Sequence, residues 1–193
     1  MFNRPNPHIS YSLTLRPHHR AIAALVSEYS NDNVSVLDIG CGMGHLAQLA
    51  KMTKPSLNLT IADIDVLVLE ATKNMVAVED AIKLESVETL FDLRKKYDVI
   101  IMSHVLEHTL HPVDIICGVM EHVLNENGHL ILAVPNLGRM ENFLFHLFKR
   151  YYVNTGHVYG WDRTHWMNFL ENIMGLDVVK YQPDYFPLPI LKK

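Results

Sequence analysis

The chain has 193 residues, 49% of them hydrophobic, enough to fill one well-buried core, and a single domain over 1–193 is expected. A formal net charge of −4 gives no general attraction to phosphate backbones or anionic membranes, so neither nucleic acid nor membrane insertion is expected. Cys41 and Cys117 lack metal-type spacing, no stretch reaches the ~18 apolar residues of a membrane span, and the start "MFNRPNPHISYSL" has no signal-peptide core, so a cytoplasmic protein is expected.

In chain order, an N-terminal helical segment over 1–33 leads into the strand "VSVLDIG". A helix follows over Gly44 to Lys51, then the strand "LNLTIAD" and a helix over Val66 to Asn74. A short strand is placed near Val76 to Val78 and a helix over Leu84 to Lys95, followed by the strand "YDVIIMS". Pro112 suits the first turn of a helix reaching Leu124, and "HLILAVP" is the next strand. Residues 137–160 break the alternation and carry Phe143, Phe145, Phe148, Tyr151, Tyr152 and Tyr159, which reads as a helical aromatic cap inserted over the active site. A helix over Arg163 to Met174 and a strand at "LDVVKYQ" close the pattern. Short apolar strands alternating with helices predict an α/β fold, a doubly wound and mostly parallel sheet.

Ligands in such sheets sit beyond the carboxyl ends of the strands, where the strand order reverses, and the turn after the first strand reads GCGMGH. Gly40, Gly42 and Gly44 permit positive φ and close approach of backbone to a ligand, although tight strand-to-helix packing also selects glycine. Asp63 ends the second strand at about the ~20-residue offset from which an acid reaches ribose hydroxyls, implying an adenosine. A pyrophosphate would meet Asp38 in a loop with no Walker-type lysine. A cationic, phosphate-free ligand fits better: S-adenosylmethionine (SAM) carries a sulfonium and an ammonium for Asp38 and a ribose diol for Asp63.

With "VLDIGCGMG", "IADID", "YDVIIMSHVLEH", "VLNENGHLILAVPN" and "GHVYGW" in hand, the chain from about Arg20 to Asp177 resembles the class I SAM-dependent methyltransferases of the small-molecule type. Within them it is most similar to the ubiquinone-pathway O-methyltransferases. The resemblance implies their Rossmann-like fold, with SAM as cofactor. It implies that Gly40, Cys41, Gly42 and Gly44 line the methionine moiety, that Asp63, with Ile64 beside it, holds the ribose, and that Asp80 and Ala81 meet the adenine. Ser103 and His104 would lie against the cofactor, and Arg20 would fall where relatives place an arginine on the cofactor carboxylate, its plainer reading being a solvated helix charge.

An oxygen acceptor needs a base, and His104, Glu107 and His108 in "HVLEH" have the spacing of one helical face. In some ubiquinone-pathway relatives the corresponding segment carries Glu, Glu and His as divalent-metal ligands. Here a histidine replaces one glutamate, which would favour a transition metal over magnesium. The preferred expectation is no metal, with His108 as base or acceptor-orienting group and His104 near the cofactor. His157 is the second candidate base, or else a loop histidine. His18, His19, His122, His129 and His146 lack such spacing and are mostly expected at the surface.

The cap aromatics either face the core or shape a site for a flat or apolar acceptor. The tail prolines, Pro183, Pro187 and Pro189, argue against a complete final strand, and an exposed apolar C-terminus suggests a possible homodimer. The expected function is methyl transfer from SAM to a small-molecule acceptor through oxygen; the alternatives are a methyltransferase acting on protein or tRNA and a non-catalytic SAM-binding partner subunit.

Overall fold

The computed structural model describes residues 14–138 and 156–182. Helix α1 (Pro17–Glu28) precedes β1 (Ser35–Ile39), and α2 (His45–Thr53), β2 (Asn58–Asp63), α3 (Val66–Met75) and β3 (Asp80–Lys83) follow. After a 3₁₀ turn (Val87–Asp92) come β4 (Tyr97–Ser103), a second 3₁₀ turn (Leu106–His108) and α4 (Pro112–Gly118). A π turn (Val119–Val123) extends α4 into β5 (Leu124–Ala133), and α5 (Arg163–Asn168) runs on as another π turn (Phe169–Ile173).

The five strands pair in parallel in the order β3-β2-β1-β4-β5. The central strands are buried on both faces, so their sequences are near-continuous apolar runs. Along β4, Val99 and Ile101 join one core with Ile22 and Val26 of α1 and Ala47 of α2. Ile100 and Met102 join the opposite core with Ile115 of α4 and Trp166 of α5. The sheet is therefore doubly wound, as expected.

Four expected elements differ, the first being the strand expected at "HLILAVP", which begins earlier, at Leu124, and ends at Ala133. The third strand is Asp80–Lys83, not Val76 to Val78. Val76 is the buried C-cap of α3, and pairing starts only where Glu79 N–H donates to the Leu59 carbonyl. Leu84 to Lys95 forms a single 3₁₀ stretch, Val87–Asp92, because Val87 and Leu90 at i and i+3 suffice to seat the crossover on the core. The "LDVVKYQ" segment forms no strand; Leu176, Val178 and Tyr181 pack against the core without a backbone ladder. The cap residues 139–155, with five of the six aromatics named above, and the tail prolines lie outside the described residues. No described helix is long and apolar enough to cross a membrane.

Candidate active site

The strand order reverses between β1 and β4, so the loops leaving their carboxyl ends, Gly40 to Gly44 and His104 to His108, face one crevice. In the first loop Gly40, Gly42 and Gly44 have φ of 75°, 52° and 72°, the left-handed region that side chains resist. A Cβ at Gly44 would stand 2.6 Å from the Thr72 methyl, and the Thr72 hydroxyl donates to the Gly42 carbonyl at 3.2 Å. Gly44→Ala should therefore lose about 1–2 kcal/mol of stability to the forced left-handed φ, and it should also disturb Thr72 and weaken ligand binding. Thermal unfolding and calorimetric titration of the variant check both effects.

Two buried acids flank this loop. Asp63, at the end of β2, accepts the Gly42 N–H on Oδ2 and the Asp65 N–H on Oδ1, each at 3.0 Å, so it shapes the loop directly. Asp38 is 1% exposed, and its Oδ2 has no hydrogen-bond partner among the described residues. Burial, and then the charge of Asp63, push its carboxyl up to about 7. The buried Cys41 has its thiol pushed up by burial first, then by the charges of Asp38 and Asp63. A crevice with such acids at its floor favours a cation.

At the end of β4, Ser103 is half-buried and His104 has a φ of 58°. That backbone turn sends the chain into the 3₁₀ turn and sets His104 Nδ1 3.2 Å from Glu107 Oε1. The Glu107 side chain is 1% exposed, and neither of its carboxylate oxygens receives an aligned hydrogen bond among the described residues. His108 Nδ1 lies 2.9 Å from the Gly156 carbonyl, which can only accept, so Nδ1 carries a proton and, in the neutral ring, Nε2 holds the lone pair. The His157 ring sits edge-on to His108 at 4.9 Å, and burial lowers its pKa. The Glu107 carbonyl accepts the Val158 N–H at 2.7 Å, which pins the "GHVYGW" segment beside the 3₁₀ turn. Glu107, His108 and His157 each offer a donor atom, all within 4.8 Å of one another. A divalent ion would find one carboxylate and two imidazoles there, with His157 rather than His104 as the third ligand, a set suited to transition metals.

The structure brings together Asp38, the loop glycines, Asp63, Ser103 and the three candidate histidines. It separates others from them. Asp80 pairs with Thr60 and Ala81 with Ile61, so both occupy the amino-terminal half of β3, before its carboxyl end. The residues at the crevice end are Lys83, opposite Asp63, and the exposed Glu85 and Ser86 that follow. Arg20 is exposed, since α1 turns Ile22, Ala23 and Val26 to the core. His18 and His19, expected at the surface, are half-buried: the His18 ring lies 4.6 Å from that of His104, and the His19 ring 5.8 Å from that of His45. Burial, then the charges of His45, His104 and Arg16, lower His19 to about 4.

A match to the methyltransferase-domain family covers residues 15–181. The chain belongs to that family. The methyltransferase domain is 31% identical over 97 residues to the malonyl-[acyl-carrier protein] O-methyltransferase of Priestia megaterium, covering 48% of this chain and 35% of the relative. It is 27% identical over 124 residues to the ubiquinone biosynthesis O-methyltransferase of Pelagibacter ubique, covering 63% and 50%. It thus spans half or less of the length of these relatives. Coclaurine N-methyltransferase, solved bound to N-methylheliamine and SAH, superposes with a TM-score of 0.51 at 25% identity, over 63% of this chain and 37% of that one. The methyltransferase domain thus has the class I fold, and the carboxyl-end crevice is where that architecture holds its ligand.

Proposed function

We propose that the methyltransferase domain transfers the methyl group of SAM to a small-molecule acceptor through oxygen. The observation that carries this reading is the pair of buried acids, Asp38 with an unpartnered oxygen and Asp63, around a positive-φ glycine loop beside a cluster of imidazoles. The loop Gly40, Cys41, Gly42 and Gly44 would hold the methionine arm, with Asp38 facing its positive charge. Asp63 and the exposed Ile64 would meet the ribose and one face of the adenine, and Glu85 and Ser86 take the place of Asp80 and Ala81 at the adenine edge. Ser103 and His104 would flank the sulfonium.

The cofactor supplies a methyl group already activated for displacement, so the chain's task is alignment and proton removal. His108 is built for the second part: the Gly156 carbonyl holds its Nδ1 proton, and Nε2 accepts the acceptor's hydroxyl proton as the carbon–oxygen bond forms. Glu107 lies close enough to stabilise positive charge on the imidazoles around it. Leu110, Val158 and Tyr159 are exposed next to this cluster, with the Tyr159 hydroxyl bonded to the Leu110 carbonyl, and they provide an apolar edge for the acceptor.

The test is calorimetric titration with SAM and S-adenosylhomocysteine (SAH), followed by a mass-spectrometric screen of phenolic and other hydroxyl acceptors. Saturable binding and a mass gain of one methyl support the reading; absence of binding by the intact chain overturns it. In an active pair, His108→Ala should lower turnover by about a hundredfold, the scale of a lost general base, with SAH affinity unchanged. Dialysis against a chelator should leave turnover intact. Loss restored by zinc or manganese would reassign Glu107, His108 and His157 to metal binding.

A further inference from the structure

The histidines around α1 are not explained by the chemistry above. His18 and His19, in the first turn of α1, are half-buried with their rings toward those of His104 and His45, while the neighbouring Arg20 is exposed. The His19 Nδ1 accepts the Arg16 N–H at 3.1 Å, leaving Nε2 as its other polar atom. The ring of His45, the first residue of α2 and the next after Gly44, lies 5.8 Å from that of His19. The Nε2 of His45 is buried and has no hydrogen-bond partner among the described residues. The charged neighbours that shift His19, namely His45, His104 and Arg16, are all basic. Imidazoles gathered with a basic side chain and no acid among those neighbours make a place for an anion.

The anion follows from position. His45 adjoins the glycine loop, and His18 ties α1 to His104. The proposed cofactor carries its positive charges over that loop and ends its amino-acid arm in a carboxylate. We propose that His19 and His45, rather than Arg20, bind the carboxylate of the cofactor's amino-acid arm. Each imidazole donates through Nε2–H, a carboxylate placed between them relieves the crowding of basic groups, and the paired charge-assisted bonds fix the arm while Asp38 faces its positive end. This inference rests on the SAM-binding reading and names the residues that grip one end of the ligand.

The experiment compares SAH with its decarboxylated analogue, 5′-(3-aminopropyl)thioadenosine, which keeps the adenosine, the sulfur and the amine. Both are titrated into the intact chain and into His19→Ala, His45→Ala, the double variant, His19→Gln and Arg20→Ala. The intact chain should prefer SAH by about tenfold or more, the scale of hydrogen bonds to a charged group. The preference should shrink in each alanine variant and vanish in the double variant. His19→Gln, which keeps a donor, should retain part of it. Affinity for the analogue should stay within a few-fold throughout, which also shows that the variants are folded. Arg20→Ala should keep the full preference. A preference that survives the double variant, or one that disappears in Arg20→Ala, overturns this assignment alone. Failure of the intact chain to bind either compound overturns the SAM-binding reading and this assignment with it.

Discussion

The affinity for SAM should rise about tenfold per pH unit as the pH increases toward neutrality and level off above about pH 7, because the ligand's positive charge requires an ionised Asp38. Asp38 is fully buried, its Oδ2 is unpartnered, and burial with the charge of Asp63 raises its carboxyl to about 7. Below that pH the empty crevice holds a proton that a cationic ligand must expel. The groups that influence this carboxyl, or are influenced by it, are Asp63 and Cys41, and neither brings a positive charge. The same shift acts on stability with a definite sign. The folded carboxyl binds its proton more tightly than the unfolded one, so the ligand-free protein has the full benefit below about pH 4 and loses it as pH rises to about 7, up to about 4 kcal/mol. Asp38→Asn should flatten both profiles. Calorimetric titration with SAM from pH 5.5 to 8 and urea unfolding without ligand test this, and an unchanged slope in Asp38→Asn would refute it.

Asp63→Ala should cost about 3 kcal/mol in cofactor affinity, more than a hundredfold, since hydrogen bonds to a charged acceptor contribute ~1.5–3 kcal/mol each. Two effects combine. The variant lacks the acceptor proposed for the ribose, and it also leaves the Gly42 and Asp65 N–H groups without the carboxylate that orders the loop. Asp63→Asn separates them. An asparagine keeps the shape, but it has one acceptor oxygen for two N–H groups and turns an amide donor toward the other. It should therefore lose much of the affinity while retaining more stability than the alanine variant. Equal, mild losses in both variants would show that Asp63 serves packing rather than the ligand.

The structure sets these acids among neighbours with opposing demands. Asp63 has its hydrogen bonds in place before a ligand arrives, whereas Asp38 and Glu107 are buried with oxygens left over. A buried carboxylate oxygen without a partner is costly and calls for an explanation. Asp38 lies near the end of β1, beside the glycine loop over which a cation is proposed, and Glu107 sits among His104, His108 and His157; it can share a proton with them or, in the metal-binding alternative, a divalent ion with His108 and His157.

Much of the fold was legible in the residues. The runs Val34 to Gly40, Leu57 to Asp63 and Tyr97 to Ser103 read as strands because a central parallel strand must be apolar on both faces, and that signal is local. The positive-φ loop was equally legible, since few residues other than glycine adopt that backbone at Gly40, Gly42 and Gly44. Asp38 and Asp63 followed from their places at strand ends. Where local patterns compete, the reading slipped. Val76 and Val78 look like a strand but serve as a helix cap and an approach, and pairing that starts at Asp80 leaves Asp80 and Ala81 within β3 rather than after its carboxyl end.

By itself the sequence determined the doubly wound sheet, the glycine loop and the acids beside it, because each depends on short-range periodicity or on one residue's backbone freedom. Only the tertiary structure decided which side chains meet across the crevice. Glu107 and His108 join His157, roughly fifty positions away, and His18 reaches His104 while His19 approaches His45. Such contacts depend on which helix face turns inward and where each strand ends in its register. A side chain's partners, and with them its charge, are therefore set by packing, and no local pattern around His19 distinguishes it from the exposed Arg20 that follows.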